Sequence, residues 1–288
     1  MSHQQYHESN RKSWNKATKV HNSHKGDQAA FLRDGGNTLF PEEIALLGNI
    51  KGLSLLHLQC NAGQDTLSIA SHLGAEVTGV DISDEAINFA TKLSSESGIA
   101  GTFHREDVYN WLDNTDEGQY DIVFASYGAI CWLCDLKKWA KGIAKVLKPS
   151  GRFILIEFHP LPGIFETDWE LKYNYMGGNL LSNEYGVGDY VGASGDGLLP
   201  MGNEAKTAAT PFENPHPSYE FTWGLSDVVT ALLEANLQLT SLKEYPYSNG
   251  WQQFPNMIEL PGRRMTAPDN MPTLPFMFSV VANKPDNS

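Results

Sequence analysis

The stretch LSLLHLQCNAGQDTLSIASHLGAEVTGVDI, residues 53–82, decides the fold. It begins as a short apolar run that ends in a polar turn, continues as a helical pattern up to Gly74, and closes with a second apolar run. Short apolar runs bounded by turn residues are typical of strands buried on both faces of a parallel sheet. The stretch therefore predicts a strand–helix–strand unit of an α/β protein.

The same alternation continues to residue 158. Ser83 is suited to cap a helix that closes at Gly98, and Lys148-Pro149 ends a later helix before a turn at Gly151. Further strands are expected at 101–108, 120–126 and 151–158, with helices at 83–97 and 136–147. This order predicts a Rossmann-like, doubly wound, mostly parallel sheet with right-handed crossovers.

The whole chain is predicted to divide into four regions. Residues 1–40 are polar with few large anchors and are interpreted as an N-terminal helical cap, and 41–158 as the core. Residues 159–220 break the alternation and are rich in Gly, Pro, Tyr and Trp, which favours an inserted lid segment. Residues 221–288 return to the core sheet with a helix and a final pair of antiparallel strands; SYEFTW, which spans the boundary, is expected to form a strand.

Composition narrows the classes of function. The net charge of −13 disfavours nucleic acid and anionic membrane surfaces as partners. No apolar run is long enough to span a membrane, and the polar first residues do not resemble a secretory signal. Three cysteines fit a cytoplasmic protein, and Cys131 and Cys134 are interpreted as buried residues rather than metal ligands. Monomer and homodimer both remain open.

Ligands of such sheets bind beyond the carboxyl ends of the strands, where several polar residues fall. The turn HLQCNAGQDT contains Gly63, which lets backbone approach a ligand. Asp81 ends the second strand and can accept both hydroxyls of a ribose; helix capping is the alternative, but Ser83 fills that role.

Two further strand ends carry candidate ligand contacts. Asp107 can accept from an adenine amino group beside the Val108 N–H, or it can cap the next helix. Ser126, Tyr127 and Trp132 follow the fourth strand and face the space between cofactor and acceptor, although the aromatic rings can also be core residues.

These motifs together resemble the class I S-adenosylmethionine-dependent methyltransferases from about residue 40 to 284. GVDIS, EDV, YDIVFAS and LKPSGRFILIEF are similar to successive motifs of that family. The first motif of the family usually reads acidic-x-Gly-x-Gly-x-Gly. Here only Gly63 remains, with His57 at the acidic position and Gln59 and Asn61 at the first two glycines.

The resemblance implies seven strands with the last one antiparallel, and S-adenosylmethionine as the cofactor with S-adenosylhomocysteine as product. Ile82 would lie against the adenine, and the Gln59 and Asn61 side chains would hold the methionine moiety. The implied cofactor-binding residues are His57, Gln59, Asn61, Gly63, Asp81, Ile82, Asp107, Val108 and Ser126.

The predicted function is methyl transfer to a small molecule, through an oxygen or nitrogen nucleophile. His159, just past the fifth strand, is the candidate general base beside Tyr127, and a structural histidine is the alternative. The acceptor is expected to meet aromatic rings of the N-terminal segment, the lid and the fourth loop, namely Tyr6, Trp14, Trp132, Trp169, Tyr173 and Tyr175. A methyltransferase fold that only binds ligand, or an NAD(P)-dependent oxidoreductase, are the competing interpretations.

Overall fold

A computed structural model describes residues 3–194, 198 and 212–286. Its strands are β1 Ser54–Leu58, β2 Glu76–Asp81, β3 Thr102–Arg105, β4 Tyr120–Ser126, β5 Leu147–Phe158, β6 Leu180–Asn183, β7 Ser218–Phe221, β8 Gln238–Tyr245, β9 Ser248–Asn249, β10 Ile258–Leu260, β11 Arg264–Thr266 and β12 Met277–Asn283. Its α-helices are α1 His3–Ser23, α2 Gln28–Arg33, α3 Pro41–Leu47, α4 Gln64–Ser68, α5 Asp84–Ser97, α6 Val108–Asn114, α7 Leu136–Val146, α8 Tyr190–Ala193 and α9 Leu225–Glu234. A π-helical turn, Ile69–Leu73, extends α4.

The main sheet has seven strands in the order β3-β2-β1-β4-β5-β12-β8. The first five pair in parallel, and β12 is antiparallel to both β5 and β8. Because β1 lies between β2 and β4, the strand order reverses beside it, and a crevice opens at the carboxyl ends of β1 and β4. The predicted α/β fold and the antiparallel final strand are confirmed.

Apolar residues on both faces of the central strands explain their near-continuous hydrophobic runs. In β1, Leu55 packs in one core and Leu56 in the other, and in β4 Phe124 and Val123 divide in the same way. One core contains α6, α7 and α9 with the buried Trp139, and the other contains α3 and the π-helical turn. Both faces of the sheet are therefore covered, as a parallel sheet requires.

Two details differ from the sequence predictions. The residue with a left-handed backbone after α7 is Ser150, with φ 61°, rather than Gly151. Gly151 is needed for close packing, because a Cβ there would lie 2.8 Å from the Lys148 carbonyl oxygen. The expected strand at 218–223 forms as β7, which pairs with β6 outside the main sheet and packs on α1.

The N-terminal and C-terminal segments add elements that the sequence did not predict individually. The long helix α1 packs on α5 and β7, and α2 packs on α5. A small sheet, β10-β11-β9, is inserted between β8 and β12. The division of the chain at residues 40, 158 and 220 stays a prediction.

Within the described residues, no helix has both the length and the apolar character that crossing a membrane requires.

Candidate functional site

A cavity of about 460 Å³ lies at the carboxyl ends of β1, β2 and β4. Its volume falls in the range of small-molecule sites. One end, the Asp81 end, contains Asp81, Ile82, Asp107 and Val108; the other, the Tyr127 end, contains Phe40, Glu43, Tyr127, Phe158, Asn249, Trp251 and Arg263. A wider hollow of about 970 Å³ lies between α1 and α6 and has no residue from the ends of β1 or β4.

The turn after β1 keeps the backbone shape of a glycine-rich loop without its glycines. Gln59 and Asn61 have φ of 54° and 48°, and Gly63 has φ 76°. Positive φ is routine for glycine and tolerated by Asn, but strained for most side chains. A Cβ on Gly63 would lie 2.7 Å from that of Ala90 and 2.9 Å from the Phe103 ring, so packing also demands glycine there.

Asp81 joins this turn to the start of α5. One carboxylate oxygen accepts from the Asn61 N–H at 2.9 Å and the other from the Ser83 N–H at 2.8 Å. Burial raises the pKa of Asp81 to about 6, although these backbone N–H groups oppose the shift. The Ser83 hydroxyl accepts from Ala86 N–H as the helix cap, so capping does not occupy Asp81.

Asp107 is shared between a helix and the N-terminal segment. Its Oδ1 caps α6 by accepting from the Tyr109 N–H at 2.9 Å, and its Oδ2 lies 2.5 Å from His7 Nδ1. Burial would lower the pKa of His7, but the hydrogen bond and charge of Asp107, with Cys134, raise it to about 9. Asp107 therefore caps α6, which was the alternative to adenine binding, while Val108 and Ile82 line the cavity beside it.

His57 and Ser126 lie beneath the turn. His57 is buried, its Nδ1 is 2.8 Å from Thr66 Oγ1, and its Nε2 is 3.5 Å from Ser126 Oγ. Burial lowers the pKa of His57 to about 4, so the ring is neutral near pH 7. A neutral imidazole can orient the turn without adding charge to the cavity.

Glu157 organises the loop after β4, a role that the sequence analysis did not identify. Its carboxylate accepts from the N–H groups of Gly128, Ala129 at 2.7 Å and Ile130 at 3.2 Å. Gln59 is tied to the same loop, since its Nε2 donates to the Ala129 carbonyl oxygen at 2.6 Å. The loops after β1, β4 and β5 are therefore fixed relative to one another.

Aromatic rings line the Tyr127 end in a continuous row. The ring centroids of Phe40 and Tyr127 are 6.2 Å apart, those of Tyr127 and Phe158 5.5 Å, and those of Phe158 and Trp251 4.5 Å. The Asn249 amide donates to the Tyr127 hydroxyl at 2.9 Å. Such a wall suits a flat apolar ligand.

Glu43 adds a proton-accepting group to this end. Its side chain is buried, Oε2 accepts from the Phe40 N–H at 2.7 Å, and Oε1 has no hydrogen-bond partner in the described part of the chain. Burial raises the pKa of Glu43 well above its usual value, with the nearby Asp65 charge adding to the shift and the Tyr127 hydroxyl opposing it. No motif points to Glu43, because it lies in a helix that reads as ordinary amphipathic sequence.

Trp14 and Trp132, two of the expected acceptor contacts, line the cavity beside Tyr190 rather than in the row of rings around Tyr127. Their rings meet edge to face with centroids 5.4 Å apart. Tyr190, from α8, lies edge to face with Trp14 at 6.3 Å, and burial, with the Asp81 charge, raises the pKa of Tyr190. The N-terminal helix and the inserted segment thus cover this end together.

His159 does not reach the cavity, which corrects its expected role as a base. After Phe158 the chain turns, and the His159 side chain lies against β8. Its Nδ1 accepts from the Leu161 N–H at 3.0 Å, and its Nε2 lies 2.9 Å from Glu244 Oε1. This geometry favours the alternative that His159 is a structural histidine.

Four expected acceptor contacts also lie outside the cavity lining. Tyr6 packs on Tyr219 and Phe221 of β7. Trp169 stacks on Phe254 at 3.9 Å in a separate small core, because the insert β9–β11 covers it. The Tyr173 hydroxyl donates to the exposed Glu166, and Tyr175 lies beside Gly224. Among the aromatic residues that the structure describes between 159 and 220, only Tyr190 lines the cavity.

Comparison with known proteins identifies the family. Residues 55–151 match the sequence model of a family described as a methyltransferase domain. An uncharacterized methyltransferase of Synechocystis is 30% identical over 167 residues, which cover 52% of this chain and 76% of the relative. The chain therefore belongs to a methyltransferase family, which favours that interpretation over an oxidoreductase.

Other relatives agree in fold or in part of the sequence. A demethylmenaquinone methyltransferase of Lactococcus lactis is 29% identical over 136 residues, 44% of this chain and 51% of the relative. This chain spans between 35% and 51% of the length of the first curated relatives that it matches. An S-adenosylmethionine-dependent methyltransferase structure from Mesorhizobium loti aligns with a TM-score of 0.56 at 17% identity, covering 87% of this chain and 99% of that one, and so shares the fold.

Proposed function

We propose that the protein transfers the methyl group of S-adenosylmethionine to a small aromatic molecule through a hydroxyl or amino group. The observation that carries the proposal is the single cavity that joins Asp81 to the aromatic wall around Tyr127. The relative named for demethylmenaquinone supports a small-molecule acceptor. The acidic net charge supports a partner other than nucleic acid.

The residues of the Asp81 end fit the cofactor. The Asp81 carboxylate stands at the end of β2, where an acid can accept from ribose hydroxyls, and Ile82 provides an apolar surface beside it. Gln59 Oε1 is buried and has no hydrogen-bond partner among the described residues, and a buried acceptor of this kind needs a donor. His57, Asn61, Gly63 and Ser126 shape the turn, and Asp107 with Val108 borders the adenine side.

When bound, S-adenosylmethionine supplies an electrophilic methyl group on a sulfonium that leaves as a neutral thioether. The protein has to align the acceptor with that methyl group and keep water away. The rings of Phe40, Tyr127, Phe158 and Trp251 orient a flat acceptor, and Trp14, Trp132 and Tyr190 cover the other end. The cover excludes solvent from the line of transfer.

Tyr127 and Glu43 replace His159 as the candidates for proton removal. Asn249 donates to the Tyr127 oxygen, which leaves the Tyr127 proton directed elsewhere. Burial raises the pKa of Glu43 well above its usual value, against the opposing effect of the Tyr127 hydroxyl, so Glu43 keeps its own proton to a higher pH than an exposed carboxyl and accepts a proton only when ionised. With Glu43 ionised, the Tyr127 hydroxyl would be placed to take the proton of an acceptor O–H and to pass its own proton to Glu43.

Methyl transfer is tested by incubating the protein with S-adenosylmethionine and a set of phenols, catechols, quinols and aromatic amines. We expect S-adenosylhomocysteine release and a methylated product, identified by mass spectrometry. Tyr127→Phe keeps the ring but removes the proton path, and should lower kcat by about 100-fold without weakening S-adenosylhomocysteine binding.

A matched control is Tyr185→Phe, which changes an exposed lid tyrosine outside the cavity. Binding of S-adenosylhomocysteine without methylation of any compound in the set would contradict the proposal. That result would favour the interpretation of the chain as a binding protein with a methyltransferase fold.

A further inference from the structure

Arg263 places a guanidinium group among the aromatic rings of the Tyr127 end. It lies in the turn between β10 and β11, and its side chain lines the cavity. The guanidinium carbon stands over the Phe40 ring, 4.3 Å from the ring centroid. An arginine that stacks on a ring is held by its face and keeps its N–H donors, which point outward in the guanidinium plane. Arg263 can therefore pack on the aromatic wall and still donate to a ligand.

The backbone holds Arg263 in this position although the conformation is unfavourable. Its φ is 60°, in the left-handed region that most side chains avoid. Its carbonyl oxygen accepts from the Gly250 N–H at 2.7 Å, which ties the turn to the end of β9. The next residue, Arg264, pairs with Glu42 of α3 and so fixes the hairpin against the core. Residues held in such conformations cluster at ligand-binding sites, which supports a functional role for Arg263.

The charges around Arg263 allow an anion to approach it. Burial lowers the pKa of Arg263, and nearby acidic side chains, Asp65 first, raise it. The charge of Asp65 acts on Lys25 as well, so it is not matched to Arg263 alone. Burial raises the pKa of Glu43 well above its usual value, so Glu43 stays neutral over more of the pH range. A guanidinium group carries five N–H donors and can bind a second acceptor while it keeps one already present.

We infer that the acceptor is an aromatic acid, whose carboxylate is bound by Arg263 while its ring lies along the row from Phe40 to Trp251. A guanidinium group matches a carboxylate through two parallel N–H···O hydrogen bonds, and the low polarity of the aromatic wall strengthens them. This contact fixes one end of the acceptor and so orients its ring for methyl transfer. The inference rests on the proposed function, which it narrows from small aromatic molecules to those that carry a carboxylate.

Binding of acids and their amides to the complex with S-adenosylhomocysteine tests the inference without requiring turnover. The probes are hydroxybenzoates, aminobenzoates and hydroxycinnamates, each compared by calorimetric titration with its neutral amide. At least one acid should bind the unchanged protein about 10- to 100-fold more tightly than its amide. In Arg263→Met this preference should fall below about twofold, with the affinities for the amide and for S-adenosylhomocysteine unchanged.

Arg263→Gly is a second variant that should behave in the same way, because glycine adopts a positive φ freely and the turn should fold without strain. Arg33→Met is the matched control, since Arg33 is exposed and lies outside the cavity lining. It should keep the preference for the acid.

Equal affinities of the unchanged protein for each acid and its amide, or no binding of any acid in the set, would overturn the inference. So would a preference for the acid that persists in Arg263→Met and Arg263→Gly, or an equal loss of acid and amide binding in both variants. Failure of the unchanged protein to bind S-adenosylhomocysteine would instead contradict the proposed function.

Discussion

Gln59 and Asn61 show how single residues preserve a turn after its usual glycines are replaced. Both hold positive φ angles that glycine adopts freely. Their neighbours compensate, because Asp81 accepts from the Asn61 N–H and Ala129 accepts from the Gln59 amide. The turn therefore keeps its backbone shape although two glycines are replaced. The side chains at those positions are available for hydrogen bonds that backbone groups make in the usual motif.

Gly63 is the glycine of the family motif that this chain retains, and the packing around it requires a glycine. Gly63→Ala should destabilise the protein by about 2–4 kcal/mol, from the positive φ and from contact with Ala90 and Phe103. Gly98→Ala is the control, because Gly98 also has a positive φ, of 73°, but nothing lies within 4 Å of a Cβ there. It should cost about 1 kcal/mol.

Urea denaturation monitored by circular dichroism measures both variants. Equal losses of unfolding free energy for Gly63→Ala and Gly98→Ala would show that Ala90 and Phe103 yield to the added methyl group, contrary to this account.

At the scale of elements, α1 is the least predictable part of the site. Its sequence is polar throughout, and only Trp14 and Tyr6 marked it as packed. In the structure, Arg11 pairs with Asp84, Asn15 donates to Asp84 at 2.8 Å, and His7 contacts Asp107. Polar contacts to the loops after β2 and β3 therefore hold the helix, and such pairings between distant segments leave no periodic signal.

The His7–Asp107 contact predicts a pH dependence of stability. The pKa of His7 is raised from 6.5 to about 9, so its stabilising contribution is complete below pH 6.5 and is lost as the pH rises through 9. At pH 6, the free energy of unfolding of His7→Gln should therefore be about 2 kcal/mol lower than that of the unchanged protein. This difference should become smaller toward pH 9.5.

Thermal and urea unfolding across that range supply the measurement. His72→Gln, which removes an exposed histidine, is the matched control. If the difference in unfolding free energy between His7→Gln and the unchanged protein stays constant from pH 6 to 9.5, the His7–Asp107 contact is not an ion pair.

Most strands and helices of residues 53–158 were predictable because local patterns decide them, although α6 was not predicted. Short apolar runs identified β1, β2, β4 and β5, and Ser83 and Gly98 marked the ends of α5. Elements that depend on distant partners were missed, including β6 and the sheet β9–β11. The same reason explains why Asp81 could be identified from its place at a strand end, whereas Glu43, which lies in an ordinary amphipathic helix, could not.

For the molecule as a whole, the cavity is assembled from segments far apart in the chain. The carboxyl ends of the strands form one side of the cavity, and α1 and α8 cover its Asp81 end. The small sheet β9–β11 provides Asn249 at the Tyr127 end. Arg264 of that sheet pairs with Glu42 of α3, which fixes the insert against the core. Cofactor and acceptor are thus expected to meet inside one enclosure.

Binding of S-adenosylhomocysteine tests the central claim most directly, by calorimetric titration of the unchanged protein, Asp81→Ala and Asp116→Ala. The exposed Asp116 is the control, and circular dichroism verifies that each variant is folded. We predict one site per chain, affinity lowered by about 100-fold or more in Asp81→Ala, and no change in Asp116→Ala. No binding by the unchanged protein, or equal binding by folded Asp81→Ala, would contradict the account.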